Sequence, residues 1–139
     1  MQRRYWIISG QTGDIAMGVR ARGLERLFEN AAYGMFDIAV ELGNIRPLVS
    51  KRIQLQAEDL PELLRRWLQE LLFLFSAHRL VFCNYRVKLE RLMLDARVDG
   101  EPWDPQRHRA KTEIKAVTHH NLSLSKIKRR WYAQIVLDV

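Results

Sequence analysis

The 139-residue chain holds one cysteine, so it has no internal disulfide framework and no cysteine-built zinc cage. Its longest purely apolar run, Leu71 to Phe75, is far short of the ~20 residues that cross a bilayer. The first ten residues, Met1 to Gly10, lack the apolar stretch of a secretory leader. These absences lead to the expectation of a cytoplasmic protein with no membrane association. Glycine and proline are sparse, at 7 and 4, and no Pro/Gly/Ser-rich linker, repeat or low-complexity stretch breaks the chain. One domain over residues 1–139 is expected. Acidic residues are also in deficit: 16 Asp+Glu stand against 23 Lys+Arg, a net charge of +7. That surplus favours anionic partners, among them RNA, DNA, an acidic protein face or anionic lipid. The motifs GxSxG, GxxxxGK and GxGxxG do not occur, and no Ser/His/Asp arrangement suggests a hydrolase.

Two segments carry helical periodicity. From Leu24 to about Leu42, apolar residues fall at Leu24, Leu27, Phe28, Ala31, Met35, Ile38 and Leu42, and Gly43-Asn44 supplies a stop. Asp59-Leu60-Pro61-Glu62 then reads as a capped helix start, followed by a wide apolar face through to about Ala77. Elsewhere the pattern has period two, which marks half-buried strands: residues 6–8, 14–20, 52–57, 83–90, 94–99, 113–119 and 131–138. Runs of strands with two inserted helices predict an α+β fold, a mostly antiparallel or mixed sheet with both helices on one face.

Candidate chemistry lies at three places. Asp14 opens one strand and Asp138 closes the last, each opposite in parity to the apolar face, and the α-carboxylate of Val139 lies beside Asp138. If the first and last strands meet, these groups form hard oxygen ligands suited to Ca²⁺, Mg²⁺ or Mn²⁺ rather than zinc. From spacing alone, two solvated strand-end aspartates is the stronger reading. The second place is the proline-stiffened stretch from Gly100 to His108, with Trp103 beside Asp104. An exposed Trp103 would be a binding anchor; a Trp103 folded onto the core would be packing. Lys111, Glu113 and Lys115 follow on one face, continued by Val117 and His119. The third place is the basic turn Lys126-Ile127-Lys128-Arg129-Arg130, which fits RNA phosphate, an acidic protein patch, or simply a solvated hairpin tip. Cys83 lies on an apolar face and reads as core, and the adjacent His119 and His120 point to opposite faces and cannot share an ion.

The sequence resembles the archease family. Three segments carry the likeness: Gln11-Thr12-Gly13-Asp14-Ile15-Ala16, the helix beginning Leu24-Glu25-Arg26-Leu27-Phe28, and the block from Gly100 through His108 and Lys111 to His120. The ending Leu137-Asp138-Val139 fits as well. Archeases are small α+β proteins that assist the RtcB-type RNA ligase of tRNA splicing and RNA repair. They promote transfer of GMP from GTP onto a ligase histidine and permit multiple turnover. The resemblance implies a divalent-metal site at Asp14, Asp138 and Val139, with Ca²⁺ the expected ion. It further implies partner-facing or metal-supporting roles for Gln11, Asp104, His108, Lys111, Glu113, Lys115 and His119. Three positions depart from the family pattern. Gln11 stands for the signature histidine, and glutamine hydrogen-bonds without titrating near neutral pH. Gly13 stands for an alanine and His119 for a tyrosine. Two other expectations remain beside the ligase activator: a basic RNA-binding or RNA-chaperone module, and a metal-binding interaction module with a different partner.

Overall fold

The computed structural model describes residues 4–139; the side chain of Gln11 also lies outside the described residues. The chain begins with a hairpin, β1 (Tyr5–Gln11) and β2 (Asp14–Ala21), followed by α1 (Leu24–Ala39) and β3 (Val49–Gln56). Then come α2 (Leu60–His78), β4 (Leu80–Glu90) and β5 (Met93–Pro102), and finally β6 (Ala116–Val117), β7 (Ser123–Ile127) and β8 (Arg130–Asp138). The fold is α+β, as expected, and the antiparallel strands divide into two sheets. One is five-stranded, ordered β1-β2-β8-β6 with β7 also pairing β8; the other is three-stranded, ordered β3-β5-β4.

Helix α1 packs against β1, β2 and β8 of the first sheet and against β4 of the second. This two-sided packing explains why its burial exceeds the single stripe of its sequence pattern. Leu27, Phe28, Ala31, Met35 and Ile38 are buried, and so are Asn30, Ala32, Gly34, Phe36 and Ala39. The helix ends at Ala39, short of Leu42, which falls in a 3₁₀ turn over Leu42–Asn44. Helix α2 starts where the sequence places it. The Asp59 carboxylate accepts the Glu62 N–H at 2.8 Å, and Pro61 lies in the first turn. Asp59→Ala is expected to cost about 1 kcal/mol, read from the urea midpoint at unchanged m-value. Trp67 is fully buried and its indole N–H donates to the Phe28 carbonyl at 2.9 Å, tying α2 to α1.

The strand expected over residues 113–119 shrinks to Ala116–Val117. Its upstream backbone hydrogen bonds go elsewhere: Lys111 and Thr112 N–H groups both donate to the Ala39 carbonyl at the end of α1. Val117 is buried and its N–H donates to the Gln69 side chain, so it leaves the polar face on which parity placed it. The basic turn is shorter than expected, because Lys126 and Ile127 belong to β7 and Arg130 to β8. Both helices and both sheets contribute to one buried cluster, which includes Met17, Phe28, Trp67, Phe82, Val98 and Ile135. Among the described residues no helix is long and apolar enough to cross a membrane.

The outer edge of β4 is covered in an unusual way. The Glu29 carboxylate accepts the Val87 N–H at 2.9 Å and the Glu25 carboxylate accepts the Leu89 N–H at 2.7 Å. Two side chains of α1, one turn apart, thus occupy the donors that a neighbouring strand would use.

Candidate functional site

Antiparallel pairing of β2 with β8 sets Asp14 directly opposite Asp138. Directly opposed residues share a face, so the two carboxylates project to the same side of the sheet. Several backbone contacts fix this corner. The Val139 N–H donates to the Gly13 carbonyl at 2.9 Å, and the Lys115 N–H donates to the Asp138 carbonyl at 2.7 Å. Gly13 has φ of 91°, a left-handed value that its missing Cβ permits and that the β1–β2 turn requires. Gln11 pairs with Asp14 through the strand register. The structure therefore gathers Asp14, Asp138, Val139 and the backbone of Lys115, with Gln11 beside them in the ladder.

Asp14 is exposed and Asp138 half-buried, and among the described residues neither carboxylate has an ion-pair partner. Two acceptor-only groups facing each other without a cation repel. That donor set suits a hard divalent ion. Among the described residues no three His, Cys, Asp or Glu side chains converge on one point.

The Gly100–His108 block builds something different. Glu101 and His108 are buried, at 2% and 4% exposure. His108 Nε2 lies 3.0 Å from Glu101 Oε2, and its Nδ1 accepts the Asp104 N–H at 2.8 Å. Because Nδ1 accepts a backbone N–H, the ring proton resides on Nε2 and is donated to Glu101. Arg107 ion-pairs with the other Glu101 oxygen, and the Arg46 N–H donates to Oε2 at 2.7 Å. Burial pushes the Glu101 carboxyl up, but the hydrogen bonds from Arg107, Arg46 and His108 and the Arg107 charge outweigh it, bringing it down to about 2. Trp103 folds back: its ring centroid lies 5.5 Å from Phe75 and 5.0 Å from His108. The Asp104 carboxylate accepts the Gln106 N–H at 3.0 Å and its carbonyl accepts the Arg107 and His108 N–H groups. His108 and Asp104 are therefore occupied within a latch that holds the proline-flanked loop, well inside the surface in the case of His108. Glu101 and Arg107, which the sequence reading did not single out, are the latch's charged pair. Glu101 continues the polar alternation of Asp95, Arg97 and Asp99, so periodicity carries no sign of its burial.

The remaining candidates are spread along the segment after the latch. Lys111 Nζ donates to the Asp37 carbonyl at 2.6 Å, anchoring the segment to α1. Glu113 and Lys115 are exposed. His119 is exposed, with Nε2 3.1 Å from Glu62 Oε2, and Arg65 holds the other Glu62 oxygen at 2.5 Å. Burial raises the Glu62 carboxyl, while Arg65 and His119 outweigh it and leave it below the ordinary range. His119 thus belongs to the start of α2, apart from the Asp14–Asp138 corner.

A model of the archease protein family (MTH1598/TM1083) matches residues 6–139. The chain belongs to the archease family. The archease of Pyrococcus furiosus is 37% identical over 143 residues, covering 98% of this chain and 99% of that protein. The Methanosarcina acetivorans archease is also 37% identical, over 92% of this chain and 91% of its own. The solution structure of Methanobacterium thermoautotrophicum protein 1598 superposes with a TM-score of 0.88 at 27% identity, covering 99% of this chain and 100% of that one. A Thermotoga maritima archease, described as a possible chaperone, shares the fold with a TM-score of 0.69 at 21% identity, over 93% of each chain.

Proposed function

We propose that this archease is an accessory protein of an RtcB-type RNA ligase. It promotes transfer of GMP from GTP to the ligase's own histidine and supports repeated turnover, with no reaction of its own. The observation that most supports this reading is the opposition of Asp14 and Asp138 beside Val139 in a chain of archease family. In this reading the two carboxylates and the Val139 α-carboxylate hold a divalent ion, Ca²⁺ first, with Mg²⁺ and Mn²⁺ as alternatives. A divalent ion bound there would neutralise charge on phosphoryl oxygens brought to the corner. The chain's own part is positional. The Gly13 turn and the pairing of β2, β6 and β8 fix the carboxylates, so little ordering is left for the moment of docking. Lys115, exposed next to Asp138, offers a cation to an anionic partner group at the same corner.

The test is ligase guanylylation with GTP and Mn²⁺, with and without this protein, under multiple-turnover conditions. The expected result is a clear increase in rate and in turnovers per ligase. No effect on a cognate ligase would overturn the reading.

A further inference from the structure

Outside the acidic corner, the face of the five-stranded sheet turned away from the core carries its own pattern. Met17, Val19, Ala133, Ile135 and Leu137 point into the core cluster. The alternating residues of β2 and β8 therefore line the other face: Gly18 opposite Gln134, and Arg20 opposite Tyr132. Trp6 of β1 stands opposite Gly18, while Ser123 and Ser125 of β7 stand opposite Gln134 and Tyr132. Neither Trp6 nor Tyr132 packs against the core, and each is half-buried. Trp6 lies flat on the strand, since a Cβ at Gly18 would come within 2.4 Å of its ring.

Arg20 shares the row of Tyr132 and lies one step along the face from the Trp6–Gly18 row. Its guanidinium carbon is 5.9 Å from the Trp6 ring centroid. Its Nε is buried and, among the described residues, has no hydrogen-bond acceptor, and Arg20 has no ion pair. Beyond Arg20 the β7–β8 turn adds Lys128, Arg129 and Arg130, which likewise have no ion-pair partner among the described residues. An aromatic surface with Arg20 in cation–π reach of Trp6 and further cations without ion-pair partners at one end has the chemistry of a base-stacking platform.

We propose that this sheet face binds single-stranded RNA, with bases stacked on Trp6 and Tyr132 and phosphates held by Arg20 and the Lys128–Arg130 turn. Charge complementarity selects a polyanion, and the aromatics select unpaired bases over duplex. Ser123, Ser125 and Gln134 supply the hydroxyl and amide groups that recognise a ribose 2′-OH. The strand from Arg20 to Asp14 is about 20 Å long, so a short strand bound at the basic end runs toward the acidic corner. The inference stands apart from the ligase reading, because it concerns affinity of this protein alone.

The experiment is fluorescence anisotropy of a labelled ten-nucleotide oligouridylate at several KCl concentrations. Arg20→Gln is expected to weaken binding about tenfold and to reduce the log–log salt slope by about 0.7. Tyr132→Ala is expected to weaken it roughly 5- to 100-fold, and Tyr132→Phe to retain affinity, since stacking needs only the ring. Lys51→Gln removes the same charge from β3, on the other sheet, and is expected to change affinity less than twofold. Thermal melts of each variant establish folding. Equal losses from Arg20→Gln and Lys51→Gln, or full affinity in Tyr132→Ala, would overturn the proposal. So would equal affinity for oligodeoxyuridylate or for duplex RNA. Variants that keep RNA affinity but lose ligase stimulation would make the face a protein interface instead, and overturn it likewise.

Discussion

Asp14→Asn and Asp138→Asn are each expected to abolish stimulation of ligase guanylylation while the protein stays folded. The two carboxylates stand directly opposite each other, and among the described residues neither has an ion-pair partner. Removing either charge relieves a repulsion worth about 0.2–1 kcal/mol, so each metal-free variant should melt slightly above the metal-free parent. With Ca²⁺ at a hundred times its dissociation constant the order inverts. The parent gains about 2.7 kcal/mol, roughly 10 °C in Tm, and the variants gain little. Calorimetry should show affinity reduced roughly 100-fold or more. Extending the chain with Gly-Ser beyond Val139 moves the α-carboxylate away and should weaken binding as well. Asp14→Asn that binds Ca²⁺ as the parent does would remove the metal from this corner, and retained stimulation by that variant would detach the corner from the ligase.

The second large effect belongs to the latch. Glu101→Gln breaks a buried charge pair and leaves Arg107 facing an amide. Loss of one partner in such a pair costs about 3–5 kcal/mol. Arg107 retains 30% side-chain exposure, which places the expected loss near the lower figure, a fall of roughly 10 °C in Tm. The pH dependence has a defined sign. Glu101 ordinarily titrates at 4.5 and is brought to about 2 in the fold, so the unfolded chain binds its proton first. Its contribution is therefore complete above about pH 4.5 and is lost as pH falls toward 2. Urea melts of the parent should weaken across that window more steeply than those of Glu101→Gln. Parallel curves would show that Glu101 carries no such contribution.

The elements that sequence periodicity reveals are those whose stability is local or one-sided. Helix α2 announces itself because Asp59 caps it and Pro61 fits its first turn. Strand β5 is legible because Leu94, Ala96 and Val98 all point to one core. The opposition of Asp14 and Asp138 was half-legible: parity showed which face each takes, but only the β2–β8 register joins them. Lys111 to His119 misleads because polar alternation mimics a strand, while its hydrogen bonds are spent on Ala39, Asp138 and Gln69. Trp6 and Tyr132 gave no joint signal, since β1 and β8 come from opposite ends of the chain and meet only through β2.

The Glu25 and Glu29 contacts on β4 bear on self-association. A three-stranded sheet has two rims, and either is a template for a strand from another copy. At β4 the carboxylates already fill the donors of Val87 and Leu89 and present negative charge to any approaching carbonyl. That rim resists fibril-like growth through side chains that double as part of α1. At β3 the Arg52 charge is paired with Asp95 of β5 and Arg66 occupies the Gln56 carbonyl, so protection by free charge falls to exposed Lys51. Neutralising β3 therefore threatens solubility more than neutralising any other basic strand of this sheet.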